Sequence, residues 1–143
     1  MGGVNSPPAL QKESAMGKRK IVTQEAWLRN PRYVFYQRAY SIIRDQRAIV
    51  DFDNAMGFRD YLLSLWEKQQ GLCYYTGEFM NLKGYKEKDP RACTVDRIIP
   101  DIGYVKDNLV LCCGIINRIK QDLSISELKR WVNKIHLGES LTS

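Results

Sequence analysis

Histidine is nearly missing from this chain: among 143 residues there is one, His136, far along the sequence. Cysteine is sparse too, with Cys73, Cys93, Cys112 and Cys113 and no C-x-x-C pair among them. A tetrahedral zinc site needs four Cys or His ligands in paired spacing, so no structural zinc is expected. The opening stretch from Met1 to Lys20 has no apolar h-region, so no secretory leader is expected and a disulfide framework is not either. Reduced, partly buried thiols inside the cell, wherever the chain meets its partner, are the default. No apolar run approaches the roughly 18 residues that a membrane-crossing helix needs, so no membrane partner is expected.

What is present describes a single globular domain. Hydrophobic residues make up 44% and charged residues 27%, a balance that buries a core and does not suit a disordered chain. Against 22 Lys and Arg stand 16 Asp and Glu, a net charge of +6. Eight of the basic residues (Lys18, Arg19, Lys20, Arg29, Arg32, Arg38, Arg44 and Arg47) fall in one window opposed only by Glu25 and Asp45. That window therefore carries the whole excess. A localised basic element reads as a footprint for a phosphate backbone, or alternatively as a solvated helix face.

Punctuation along the chain divides it into a small, polar tail over 1–17, a basic helical segment over 18–50, a main domain over 51–138 and a short tail over 139–143. Met16-Gly17 offers an alternative start within the first tail. Asn30-Pro31 opens a helix, with Tyr33, Tyr36, Tyr40 and Ile43 forming a stripe that reads as packing. Asp53 or Asn54 caps a second helix whose stripe is Phe58, Tyr61, Leu62, Leu65 and Trp66, ended by Gly71. After a turn at Cys73 to Gly77 and a charged loop from Lys83 to Arg91, a strand is expected over 92–99, broken by Pro100. Gly103 turns the chain into a second strand, Leu109 to Cys112, followed by a short helix over 114–120. Ser124-x-x-Glu127 is a capping box opening a last helix, with Ile125, Leu128, Trp131, Val132 and Ile135 as its core face and Gly138 after its end.

The stretch T-V-D-R-I-I-P-D-I-G-Y-V-K-D-N-L-V-L-C-C-G-I-I-N-R-I-K resembles the HNH, or ββα-metal, nuclease motif. In that family D-H-I-x-P ends the first strand, N-L-x-x-L begins the second, and N-x-x-K opens the helix. Phe52 to Gly77 is similar to the helix and knuckle-like turn that precede the motif in phage and mobile-element members, W-E-K-Q-x-G-x-C-x-x-T-G. The resemblance covers about residues 52–135. It implies an α+β fold with a ββα-metal core and flanking helices, and a metal-dependent endonuclease that hydrolyses DNA with Mg²⁺ or Mn²⁺. The positions that bind metal in the family are Asp96 and Asn117 here, both hard oxygen donors. Asn108 matches the Asn that pins the connecting loop, while Arg118 and Lys120 are placed to hold phosphate. Lys18, Arg19, Lys20, Arg38 and Arg44 would grip the DNA backbone. A homodimer would make double-strand cuts natural.

Two departures qualify the match. Where the family carries its general base, a His directly after the Asp, this chain has Arg97. A guanidinium stays protonated and takes no proton from water, though it can clamp a phosphate with two parallel hydrogen bonds. Asp101 and Tyr104 are then the candidates to help the water, and His136 lies too far along. Of the two C-x-x-C pairs that bind zinc in many relatives, Cys73 and Cys113 remain, with Thr76 and Ile116 in their partners' places. Two alternatives stay open: a catalytically degenerate HNH-fold module that binds nucleic acid, or a structural domain in which these polar residues cap a loop.

Overall fold

The computed structural model describes residues 30–142, so the tail over 1–17 and the basic residues Lys18, Arg19 and Lys20 lie outside the described part. Helix α1 spans Pro31–Asp45. Asn30 caps it by accepting the Arg32 N–H at 2.9 Å, and Pro31 occupies a first-turn position where no N–H is needed. Its buried face is Val34, Phe35 and Ala39, with Ile42 and Ile43 beside them. The tyrosine stripe is thus not the packing face. Tyr40 is 50% exposed, with its ring stacked on Tyr36 at 6.4 Å. The aliphatic and phenyl side chains on the neighbouring face, which have no hydroxyl to satisfy, took the core.

Helix α2, Ala55–Gln69, is capped by Asn54, whose side chain accepts the Gly57 N–H at 2.9 Å. Gln70 (φ 56°) and Gly71 (φ 72°) end it in left-handed geometry. Phe58 and Leu62 are fully buried against α1, and Trp66 meets Phe35 with ring centroids 5.8 Å apart. A knuckle follows, closed by Gly77 N–H to Cys73 O at 2.9 Å and Cys73 N–H to Glu78 O at 2.8 Å.

Strands β1 (Cys93–Arg97) and β2 (Leu109–Cys113) pair antiparallel, with Cys93 opposite Cys113 and Arg97 opposite Leu109. β1 is shorter than its apolar run because Asn108 takes the backbone of Ile99 out of the ladder, and Pro100–Ile102 coil into a 3₁₀ turn. Gly103 closes this connection with φ 95°, and a Cβ there would lie 2.6 Å from Ile49 O, so glycine is the residue that fits. Next to it Tyr104 N–H donates to Ile49 O at 2.7 Å, docking the loop on the segment that joins α1 to α2. On the other side of β2, the amide of Gln69 does a strand's work. Its Nε2 donates to Leu111 O at 2.9 Å, while its Oε1 accepts the Leu111 N–H at 3.0 Å.

Helix α3, Gly114–Lys120, packs on both strands and completes an α+β arrangement with its core between the sheet and the α1–α2 pair. Helix α4, Ile125–Thr142, opens on the capping box, Glu127 N–H to Ser124 Oγ at 3.1 Å. It runs through Gly138 to Thr142, where an end and a tail were expected. Glycine weakens a helix by roughly 1 kcal/mol but stops it only when the backbone turns left-handed, and Gly138 is not among the positive-φ glycines. Of the expected core face only Leu128 is buried; Trp131, Val132 and Ile135 are more than half exposed. No described helix is long and apolar enough to cross a membrane.

Candidate functional site

The connection between the strands is held as its sequence suggests. Asn108, buried at the foot of β2, accepts the Ile99 N–H with Oδ1 at 3.0 Å. Its Nδ2 donates to Ile99 O at 3.0 Å and to Gly103 O at 2.7 Å. One amide therefore satisfies three backbone groups across the connection over 98–108, which is why an Asn stands there.

Asp96 meets two side chains of the protein itself. It is buried, and its Oδ2 accepts the Tyr75 hydroxyl at 2.6 Å and faces Lys120 Nζ at 3.2 Å. The same ammonium lies 3.4 Å from Oδ1 and 3.4 Å from Arg97 O. Lys120 is itself fully buried, so it is corrected from a phosphate contact to the internal partner of Asp96. Both charges are out of water and pair because neither is tolerable alone. Tyr75 is held as a phenol, its pKa pushed far up by burial and by the Asp96 carboxylate it donates to.

Asn117, expected to share a metal with Asp96, instead donates Nδ2 to Thr94 Oγ1 at 3.0 Å and to Val95 O at 3.2 Å. Its Oδ1 has no hydrogen-bond partner among the described residues. Nor do three His, Cys, Asp or Glu side chains gather into a metal-sized cluster among them. A divalent ion on Asp96 would have to share that carboxylate with the Lys120 ammonium. In this arrangement Asp96 and Asn117 each turn to protein partners.

Arg97 points its chemistry elsewhere. Half-buried, it donates Nη1 to Pro100 O at 3.1 Å and lies over the Tyr104 ring at 5.1 Å. Together they border a hollow of about 770 Å³ between α1 and the loop over 82–87. Six cations line it: Arg38, Arg44, Arg47, Lys83, Lys86 and Arg97, against Asp45 and Glu87 alone. A contiguous hollow of about 460 Å³ shares Arg38, Tyr85, Lys86 and Tyr104 and adds Lys88, Asn117 and Arg118. Burial lowers the pKa of Arg38, which the neighbouring Tyr85 partly offsets, and a guanidinium remains a cation throughout. Burial raises the Tyr104 phenol against the opposing pull of Arg97, so Tyr104 is a donor at neutral pH and not a base for water.

The expected site thus separates into parts. Arg38, Arg44 and Arg97 line the larger hollow, and Arg38, Asn117 and Arg118 the smaller one beside it; Asp96 and Lys120 line neither; Asn108 secures the loop; Asp101 sits exposed on the 3₁₀ turn and also lines neither. Sequence reasoning counted Arg47 only within the basic window, and it missed Lys83, Tyr85, Lys86 and Lys88 as cleft residues. Their signal was the alternation of lysine with tyrosine in K-G-Y-K-E-K over 83–88, a pattern that a plain charged loop can also carry.

The cysteines are all buried and reduced. Burial pushes the Cys112 thiol up to about 12 and the Cys113 thiol up to about 11. Burial would raise Cys73 too, but hydrogen bonds from Thr76 and from backbone N–H groups, including Cys113 N–H to Sγ at 3.3 Å, outweigh it and hold the thiol below its ordinary range. The knuckle keeps a sulfur-accepting geometry within apolar packing. Comparison of the chain with protein-family models, with curated proteins and with solved structures finds no match.

Proposed function

We propose that this chain binds DNA through the cationic cleft, as an HNH-like ββα unit in which Arg97 serves as a phosphate ligand. The observation that supports this reading is convergence. Arg38, Arg44 and Arg47 come from α1 and the turn after it, Lys83 and Lys86 from the loop, and Arg97 from the end of β1, yet all line one hollow. Side chains of one sign repel, and a fold that gathers them has a use for the field they make together. With the internal pair Asp96–Lys120 in place of an open carboxylate, the binding needs no divalent ion. The test is binding to labelled DNA across a salt series, with and without EDTA. Affinity that falls steeply with salt, is indifferent to EDTA and loses slope in Arg44→Ala and Arg97→Ala is expected. Absence of salt-sensitive binding at low ionic strength would overturn the reading.

One observation favours a second reading, hydrolysis of phosphodiester bonds: among the described residues the carbonyl oxygen of Asn117 has no hydrogen-bond partner, and Asn117 lines the hollow beside the one that Arg97 borders. Plasmid incubated with Mg²⁺, Mn²⁺ or EDTA decides it, with Asn117→Ala alongside. Metal-dependent nicking lost in that variant would establish the nuclease.

A further inference from the structure

The loop over 83–88 carries more than charge. Gly84 has φ 93°, and a Cβ there would lie 2.6 Å from Asp89 Cβ, so the turn is built tightly around Asp89. Asp89 N–H returns to Gly84 O at 2.9 Å, and Arg118 donates to Lys88 O at 3.2 Å, tying the loop to α3. What this framework holds out is Tyr85. The Arg38 guanidinium carbon lies over its ring, 3.6 Å from the centroid, and the residue is still 52% exposed. A ring backed by a cation and still half-exposed offers a stacking surface set in advance, between lysines at 83 and 86.

Resting on the DNA-binding reading of the cleft, we infer that Tyr85 is a base-stacking platform and that the cleft's ligand is single-stranded DNA. Bases in a duplex are already stacked on one another and present only their edges, so an open aromatic face has nothing to receive there. In a single strand each base offers a face, and a tyrosine accepts any of them. Cations on both walls, Arg44 and Arg47 from one side and Lys83 and Lys86 from the other, suit one phosphate chain running between them.

The experiment titrates the full chain with a fluorescent oligo(dT) of about 12 nucleotides and with a duplex of equal length, over a salt series. Tighter binding of oligo(dT) is expected. Tyr85→Ala and Tyr85→Leu should weaken it about 5- to 100-fold with an unchanged salt slope, because stacking releases no counterions. Tyr85→Phe should bind like the parent. Leucine is included because it still covers Arg38 but offers no aromatic face. Equal binding of duplex and single strand, or indifference to Tyr85→Leu while binding stays salt-sensitive, overturns this inference and leaves DNA binding standing. No salt-sensitive binding to either probe removes the DNA-binding reading and this inference with it.

Discussion

Two neighbours in the sequence, Asp96 and Arg97, show how much one position along a strand decides. Successive side chains leave a strand on opposite sides, so the carboxylate turns inward to Lys120 and Tyr75 while the guanidinium reaches Tyr104 and the cleft. Breaking a buried pair strands an uncompensated charge, so Lys120→Met should cost about 3–5 kcal/mol, read by urea unfolding. Asp96→Leu combined with Lys120→Met should recover most of that loss, since no lone charge is left. Additive losses would mean that the two do not act as a pair. The role of Asn108 was legible only through the family resemblance, which implies an Asn that pins the connecting loop, and its short amide does serve three backbone groups there. The Asp96–Lys120 pairing was not. An Asp and a Lys 24 positions apart carry no mark of burial, and the hard-donor chemistry of a carboxylate is the same whether its partner is a metal or an ammonium.

Elements were easier to read than their faces. Asn30-Pro31, Asn54 and the Ser124–Glu127 box each start a helix where local hydrogen bonding places it. Which stripe faces inward depends on what the rest of the chain brings near. In α1 the core took Phe35 and Ala39 in preference to the tyrosines, and in α4 it took Leu128 and little else. Trp131→Gln and Ile135→Gln should therefore change stability by no more than about 0.5 kcal/mol, whereas Leu128→Ala should cost at least about 2 kcal/mol, as compared by urea midpoints. A large loss from Trp131→Gln would restore that face to the core.

Across the whole molecule, the concentration of buried thiols and a half-buried phenol sets the response to alkali. Cys93, Cys112, Cys113 and Tyr75 all keep their protons to higher pH folded than unfolded. Unfolding therefore releases protons above about pH 9, so the stability these groups give is complete below that value and falls as pH climbs toward about 12, whereas the lowered Cys73 thiol adds stability only as pH rises toward its ordinary range. At about pH 10 the loss should be on the order of 1 kcal/mol per thiol, seen as a drop in the urea midpoint from neutral pH. A flat profile would mean that the thiols are not shielded. At the same scale, Gln69 has an effect beyond its own two bonds. A two-stranded sheet offers bare backbone along its rims, where a strand of another molecule can add on and start an aggregate. With the Gln69 amide seated on Leu111, the outer rim of β2 is already spoken for at its middle residue, and the smallest possible sheet is kept from growing.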